Sequence, residues 1–213
     1  MNGRKLQIVL VDDHAVVRGG LRLLLAQAGD MEVVGEAEDA EQAIQLIRQS
    51  EFDVALVDIG LPGKGGLDLL KQIKSERPRI AVLMLSMYAE EVYAVRALKA
   101  GASGYLTKNS PPATLLAAIR KVAGGGKHVS PALLERLAVE VGRGRKSASE
   151  ALSDREIEVL RRIASGESLN QIAEALHLSP KTVTTYRARI VEKTGLPSNA
   201  ELTRYALEKG MLS

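Results

Sequence analysis

Leu6-Gln-Ile-Val-Leu-Val-Asp-Asp13 is an almost continuous apolar run that ends in two carboxylates. Further apolar runs lie at residues 54–57 and 80–85, with a weaker one at 31–37 and a short one at 104–106. Such runs are typical of parallel strands that are covered on both faces. Amphipathic helical patterns separate the runs, so the sequence predicts an α/β fold with a doubly wound, five-stranded parallel sheet.

The composition excludes several classes of protein. The 213 residues contain no cysteine, which excludes a disulfide scaffold, a thiolate zinc site and a cysteine nucleophile. No apolar run approaches the ~20 residues of a membrane span, and the first run is too short for a signal peptide. We therefore expect a cytoplasmic protein without a membrane partner. Residues 1–126 carry 15 Lys+Arg against 15 Asp+Glu, whereas residues 127–213 carry 14 against 11, so the excess positive charge lies in the second half and indicates an anionic partner there.

Small helices are predicted for the end of the chain. Ser153 with Glu156 three residues later forms a capping box that opens one helix. Ser179-Pro180 opens another after a three-residue turn at 177–179, which is the pattern of a helix-turn-helix.

The segment between the halves is predicted to be a connection. The triple glycine 124–126 ends the first domain, and Ser130-Pro131 opens a helix that reaches about Val141. Residues 142–149 are glycine-rich, polar and basic, as in a flexible linker. We expect three parts: a sheet domain at residues 1–125, a linker with one helix at 126–148, and a helical domain at 149–213.

One edge of the predicted sheet gathers charged groups, because the carboxyl ends of parallel strands face the same way. The groups are Asp12, Asp13, Asp58, Ser86 and Lys108. Crowded carboxylates repel one another unless a cation lies among them, and Mg²⁺ prefers carboxylate and phosphate oxygens. The pattern therefore favours phosphoryl transfer with Asp58 as the nucleophile. The three aspartates would hold the magnesium ion, and Ser86 and Lys108 would bind the phosphoryl oxygens.

Two neighbours of this edge are interpreted differently. His14 begins the first helix, where packing or local hydrogen bonding is favoured over metal binding. Thr107 is interpreted as a loop residue and not as a ligand.

The first half resembles the receiver domain of bacterial two-component response regulators. The resemblance rests on Val9-Leu-Val-Asp-Asp-His14, Val57-Asp-Ile-Gly-Leu-Pro-Gly63, Leu85-Ser86 and Gly104-Tyr-Leu-Thr-Lys108. It implies a flavodoxin-like, CheY-like sheet and a sensor histidine kinase that donates the phosphoryl group to Asp58. It also implies that Ser86 and Tyr105 shift together on phosphorylation.

The second half resembles the LuxR-type helix-turn-helix. The matching stretches are residues 152–160, 178–183 and 190–195, and the whole chain is then similar to the NarL/FixJ class. The resemblance implies a phosphoprotein that regulates transcription by binding double-stranded DNA, and that forms a homodimer when active. It does not imply an enzyme that turns over a substrate.

The predicted recognition helix has two distinct sides. Val183, Tyr186 and Ile190 fall on one side, from which they should pack against Ile157, Leu160, Ile163, Ile172 and Leu176. The residues expected to contact DNA are Lys181, Thr182, Thr184, Thr185, Ala188, Arg189 and Lys193. The family often has lysine where Thr184 stands and histidine where Tyr186 stands, so the DNA sequence that is read stays open.

Some alternatives remain open from the sequence. Arg187 could contact DNA or could pair with Glu156. The apolar stripe of the last helix, at Leu202, Ala206 and Leu207, fits either a dimer contact or the core. The leading function is a transcription regulator switched by phosphorylation. The alternatives are a signalling or protein-binding module that does not bind DNA and, ranked lowest, a small phosphatase-like enzyme.

Overall fold

Five strands form one parallel sheet in the first half of the chain. They are β1 (Leu6–Val11), β2 (Met31–Ala37), β3 (Val54–Asp58), β4 (Ala81–Ser86) and β5 (Gly104–Thr107). The computed structural model, which describes residues 4–87, 90–131, 133–135 and 152–212, pairs them in the order β2-β1-β3-β4-β5. The predicted doubly wound sheet is therefore confirmed.

Four helices connect the five strands, and a fifth follows the last strand. They are α1 (Ala15–Ala28), α2 (Ala40–Gln49), α3 (Gly66–Glu76), α4 (Glu90–Lys99) and α5 (Pro112–Ala123). Helix α1 contacts α5, whereas α2, α3 and α4 contact one another in succession. The helices thus form two separate layers, as expected when every connection between parallel strands has the same hand.

The central strands are buried because both of their faces are covered. Every residue of β3 is buried, and so is every residue of β4. Leu10, Leu56 and Leu83 belong to one apolar cluster, and each such side chain stabilises the fold by about 2 kcal/mol when it is fully buried. This burial explains why the strands appear in the sequence as continuous apolar runs and not as alternating ones.

The second half of the chain contains four described helices. They are α6 (Asp154–Ala164), α7 (Leu169–Ala175), α8 (Pro180–Thr194) and α9 (Asn199–Glu208). Helices α6, α7 and α9 each begin with a complete capping box, built on Ser153, Ser168 and Ser198. Helix α8 begins at Ser179, whose hydroxyl accepts a hydrogen bond from the Thr182 N–H.

The turn between α7 and α8 is tight. His177 adopts a positive φ of 52° in this turn, and its side chain is exposed. Helix α8 then runs to Gly195, whose φ of 70° ends it in the left-handed conformation. The predicted helix-turn-helix is present in the second unit.

The chain divides into two compact units, Met1–Ser130 and Pro131–Ser213. His128 is half-buried, and its backbone pairs with Gly104 at the start of β5. Residues 131 and 133–135 are helical, as predicted for the helix that starts at Pro131. The remainder of that predicted helix and the predicted linker at 142–149 lie outside the described residues. Among the described helices, none is long and apolar enough to cross a membrane.

Candidate functional site

Three charged side chains meet at the carboxyl edge of the sheet. Asp12 follows β1, Asp58 ends β3 and Lys108 follows β5. The Lys108 Nζ lies 2.7 Å from Asp12 Oδ2 and 2.8 Å from Asp58 Oδ2, so one ammonium group bridges both carboxylates. The side chains are almost completely buried, with 7% of Lys108, 3% of Asp12 and 5% of Asp58 exposed. The structure thus brings together residues from three separate loops, as the sequence predicted.

Asp13 and His14 lie on the exposed side of this group. The His14 Nδ1 is 2.7 Å from Asp13 Oδ1 and 3.2 Å from Asp12 Oδ1, and the His14 backbone N–H donates to Asp12 Oδ1. His14 therefore makes the local hydrogen bonds expected of it. Asp12, Asp13, His14 and Asp58 each offer one ligand atom, and all four atoms lie within 4.8 Å of one another.

Burial and neighbouring charges shift the pKa values of Asp58 and Lys108. Burial raises the pKa of the Asp58 carboxyl, and the neighbouring Asp12 charge acts in the same direction, although Lys108 and the Gly60 N–H oppose them. Burial alone would lower the pKa of the Lys108 ammonium, but the charges of Asp58 and Asp12 outweigh it and raise that pKa. Lys108 therefore stays positively charged between the two carboxylates.

Strands β4 and β5 bring the remaining predicted residues to the same edge. Ser86 is the last residue of β4, is fully buried, and pairs with Thr107 in register. Because side chains alternate along a strand, Tyr105 lies on the same face as Thr107 and Ser86, and it is also buried. Thr107 belongs to β5, whereas the sequence suggested a loop residue, and its hydroxyl lies 3.1 Å from that of Ser110.

Sequence reasoning missed two residues that support the site. The Arg18 guanidinium donates a hydrogen bond to the Asp12 carbonyl and lies 3.4 Å from Glu36, so it fixes the backbone at the end of β1. Gly66 begins α3 in direct contact with β3, where a Cβ would lie 1.9 Å from the Asp58 carbonyl oxygen. The pair Gly65-Gly66 was the available signal for this close approach.

The chemistry of the acidic group suits a hard divalent cation. Asp12, Asp13 and Asp58 supply carboxylate oxygens, which are the donors that Mg²⁺ binds through one or two protein groups and several waters. The exposed position of Asp13 leaves one side of the cluster open to solvent. The three carboxylates at this edge of the sheet therefore form an acidic cluster that could hold a metal ion.

Helix α8 presents a polar face in the second unit. Val183 and Ile190 are fully buried, and Tyr186 is half-buried. The five apolar residues predicted to pack with them are also buried: Ile157, Leu160, Ile163, Ile172 and Leu176. The exposed residues of α8 include Lys181, Thr184, Thr185, Ala188 and Arg189. The Thr182 side chain is half-buried beside Ser179, with 2.8 Å between the two hydroxyl oxygens. The 100° periodicity therefore assigned both faces of this helix correctly.

Two basic residues of α8 have partners that the sequence did not indicate. Arg187 was considered as a partner of Glu156, and this alternative is wrong, since its guanidinium bonds to Asn199 Oδ1 and to the Pro197 carbonyl. Lys193 instead reaches Glu156, with 2.7 Å between Nζ and Oε2. The buried Glu156 carboxylate also accepts a hydrogen bond from the Ser153 N–H. Lys193, predicted to contact DNA, is therefore engaged within its own unit.

The apolar stripe of α9 divides between core and surface. Leu202 and Ala206 are fully buried, whereas Leu207 is 59% exposed. The first two belong to the core of the second unit, and only Leu207 of the three is available for a contact with another molecule.

Comparisons with known proteins agree with both units. The family described as "Response regulator receiver domain" matches residues 8–120, and the family "Bacterial regulatory proteins, luxR family" matches residues 150–206. The response regulator UvrY of Escherichia coli K12 is 35% identical over 208 residues, which are 97% of this chain and 95% of UvrY. The response regulator GacA of Pseudomonas aeruginosa is 36% identical over 209 residues, which are 97% of this chain and 98% of GacA.

Solved structures show the same architecture. The RcsB response regulator of Salmonella typhimurium is 27% identical, with a TM-score of 0.75 and coverage of 98% of this chain and 100% of RcsB. Another RcsB structure, bound to the promoter rprA in the presence of the phosphomimetic BeF3-, has a TM-score of 0.67 at 27% identity and covers 94% of this chain and 98% of RcsB. The receiver family alone matches more than half of the chain, and the relatives match nearly all of it. The chain belongs to the two-component response regulators of the NarL/FixJ class, in which a receiver domain is joined to a LuxR-type helix-turn-helix domain.

Proposed function

We propose that this response regulator is a transcription regulator whose DNA binding is switched by phosphorylation of Asp58. The observation that carries the proposal is the bridge of Lys108 between the buried carboxylates of Asp12 and Asp58, beside the fully buried Ser86. The Lys108 ammonium group lies beside the Asp58 carboxylate, where it would neutralise part of the negative charge of a phosphoryl group.

The phosphoryl group would come from the phosphorylated histidine of a sensor kinase. An oxygen of Asp58 attacks the phosphorus, the P–N bond breaks, and the electron pair stays with the departing imidazole nitrogen, which takes up a proton. Lys108 then lies beside the transferred phosphoryl oxygens, and the Ser86 hydroxyl supplies a hydrogen-bond donor to them. Asp12, Asp13 and Asp58 would hold Mg²⁺, which supplies positive charge to the phosphoryl oxygens when bound.

The chain itself is proposed to accept the phosphoryl group and not to act as an enzyme on other substrates. We propose that a joint displacement of Ser86 and Tyr105 changes the surface of the receiver, because both are buried on the same face of β4 and β5. The active form would be a homodimer, since dimers read two half-sites on DNA.

The DNA-binding surface is proposed to be the exposed face of α8. Lys181 and Arg189 supply positive charges for phosphates, and Thr184 and Thr185 lie beside them. Thr182, Ala188 and Lys193 complete the proposed contact set, and Lys193 is also bonded to Glu156 within its own unit. The RcsB relative bound to a promoter supports this assignment. A protein with this partner would work in the cytoplasm.

We assign each proposed function to one stretch of the chain. The receiver would occupy residues 1–125, the connecting segment residues 126–148, and the DNA-binding domain residues 149–213.

A labelling experiment tests the phosphoacceptor. The full chain is incubated with acetyl phosphate and Mg²⁺, and intact mass spectrometry records the addition of one phosphoryl group. Asp58→Ala should remain unlabelled, whereas Asp68→Ala, which removes an exposed carboxylate from α3, should be labelled like the wild type. Labelling of Asp58→Ala to the wild-type extent would show that another residue is the acceptor.

A binding experiment tests the DNA surface. Affinity for duplexes enriched from a random-sequence pool is measured at several salt concentrations, with Arg189→Ala and Lys181→Ala beside the control Arg204→Ala on the exposed side of α9. Each α8 variant should weaken binding and reduce the slope of log K against log salt by about 1, because one phosphate contact is lost. A pool from which no duplex is enriched would favour a signalling module that does not bind DNA. Equal effects of all three variants would contradict a DNA-binding surface on the exposed face of α8.

A further inference from the structure

We propose that residues 127–128 form a clasp on the edge strand β5, and that this clasp transmits the phosphorylation state of Asp58 to the chain segment leading to the DNA-binding unit. The inference rests on the proposed function, since it assumes that Asp58 is phosphorylated. The geometry that points to this role lies near the end of α5. The first residues after this helix are attached to the loop and the strand that precede Lys108.

The clasp consists of specific backbone and side-chain bonds. The His128 N–H donates to the Ser103 carbonyl at 2.9 Å, and His128 forms an isolated parallel bridge with Gly104. The Lys127 Nζ donates to the Ala102 carbonyl at 2.7 Å. Because β5 is the last strand of the sheet, this segment covers part of an otherwise open strand edge.

The approach of the clasp to β5 requires a glycine. A Cβ at Gly104 would lie 2.7 Å from the His128 carbonyl oxygen and 2.9 Å from the His128 Cβ. Contacts this short are not tolerated between a side chain and a backbone, so glycine at position 104 is what allows the segment to lie against the strand.

The same loop is tied to the elements that carry the phosphorylation site. The Ser103 N–H donates to the Val82 carbonyl in β4, and the Ala102 N–H donates to the Ala97 carbonyl in α4. Strand β4 ends in Ser86, and the Lys108 N–H donates to the Ser86 carbonyl. Loop 101–103 is therefore bonded to β4 and to α4, and it leads directly into β5.

The distance between the site and the clasp is short. Strand β5 has four residues, so its ends are about 10 Å apart at the usual rise of a strand. Lys108 follows one end and the clasp holds the other. Because a buried strand in a close-packed interior moves as a unit, the proposal is that a shift of Lys108 and Ser86 toward a phosphoryl group displaces Gly104 as well and alters its contact with His128.

The first experiment follows the His128 amide directly. Hydrogen exchange of this amide is measured by NMR in the full wild-type chain, with and without acetyl phosphate and Mg²⁺, and intact mass of the same samples gives the phosphorylated fraction. We expect the exchange rate to rise about fivefold on phosphorylation, because the movement of β5 weakens the bond from the His128 N–H to the Ser103 carbonyl. An unchanged rate in phosphorylated protein would overturn the clasp while leaving the proposed function intact. A chain that takes up no phosphoryl group would contradict the proposed function, and the clasp would be lost with it.

The second experiment breaks the clasp without altering the phosphorylation site. His128→Pro removes the backbone N–H that bonds to Ser103, whereas the matched control His128→Ala keeps it. Both variants should be phosphorylated like the wild type. The ratio of DNA affinities with and without phosphorylation, measured on the enriched duplexes, should fall about fivefold in His128→Pro and stay at the wild-type value in His128→Ala. A wild-type ratio in a phosphorylated His128→Pro chain would show that the segment only covers the sheet edge.

Discussion

Lys108 is the residue on which the electrostatics of the acidic edge depend. Its ammonium group lies within 2.8 Å of an oxygen of each of two buried carboxylates. Removal of one partner from a buried ion pair leaves an uncompensated charge, which costs more than the pair itself contributes. The lysine therefore has a structural role before any phosphoryl group arrives.

Replacement of Lys108 by alanine tests this role. We expect the free energy of unfolding to fall by about 3 kcal/mol, because Asp12 and Asp58 would face each other without a cation. Mg²⁺ should restore more stability to the variant than it adds to the wild type, since it would bind only the folded cluster. Urea unfolding of the full chain with and without Mg²⁺ measures both effects. Lys64→Ala, at an exposed lysine in the loop after β3, serves as the control, and an equal loss there would contradict the prediction.

Glu156 makes the stability of the second unit depend on pH. Burial disfavours the charged form, but hydrogen bonds from Lys193 and Ser153 outweigh it and hold the pKa of this carboxyl below its usual 4.5. Because the pKa is lower in the folded state than in the unfolded state, the ionised carboxylate stabilises the fold at pH values above the unfolded-state pKa. This stabilisation is lost as the pH falls through the folded-state pKa.

Replacement of Glu156 by glutamine should therefore destabilise the chain at neutral pH. The expected loss is about 1–2 kcal/mol, from the weakened bonds to Lys193 and to the Ser153 N–H. The difference from the wild type should shrink as the pH falls below 4.5, because the wild-type Glu156 carboxyl then takes up a proton and becomes neutral like the glutamine amide. Calorimetry of the full chain from neutral pH to below 4.5 measures this difference in stability. Glu174→Gln, at an exposed site of α7, is the control. A difference that does not vary with pH would be inconsistent with this ion pair.

At the level of elements, the junction of β3 with α3 positions the phosphoacceptor. Gly66 leaves no space for a side chain, since a Cβ would lie 1.9 Å from the carbonyl oxygen of Asp58. At the preceding Gly65, the nearest atom to a Cβ would be the Ile59 carbonyl oxygen, at an ordinary 3.9 Å. Two adjacent glycines therefore differ sharply in what they tolerate.

The two glycines form a matched pair of variants. Gly66→Ala should force α3 away from β3, cost about 3 kcal/mol of stability, and slow phosphorylation of Asp58 by acetyl phosphate because the backbone of the acceptor is displaced. Gly65→Ala should change both properties little. Thermal unfolding and the rate of mass increase are the measurements, and equal behaviour of the two variants would refute the close contact.

The sequence predicted whole elements better than the contacts between them. The strands were evident because full burial makes runs such as residues 54–57 continuously apolar. The faces of α8 followed from helical periodicity, and the carboxyl ends of parallel strands had to bring Asp12 and Asp58 together.

Contacts that depend on how elements cross were not predictable from spacing. Whether Arg187 or Lys193 reaches Glu156 depends on the crossing of α6 and α8, which no local pattern encodes. The pairing of His128 with Gly104 involves only one bridge, which is too short for any periodic signal.

For the whole molecule, the prediction concerns assembly. Leu207 exposes 59% of its surface on α9, where it is available for a contact between two copies of the chain. Because Asp58 is the proposed trigger, phosphorylation should raise the molar mass of the full chain in solution from one copy to two. Light scattering in the presence of acetyl phosphate and Mg²⁺ measures this molar mass. Asp58→Ala should remain a single copy, and Asp68→Ala should behave like the wild type. A mass that is the same in all samples would contradict a phosphorylation-dependent dimer.

The serine caps of the second unit bear on how fast each unit acquires its structure. Ser153, Ser168, Ser179 and Ser198 define the starts of four helices through bonds that span only three residues. Strand β1, by contrast, cannot pair with β3 until the chain between them has been synthesised and has crossed over. Folding rates fall as contacts become more distant in sequence, so the helical second unit should fold in a shorter time than the sheet of the first unit.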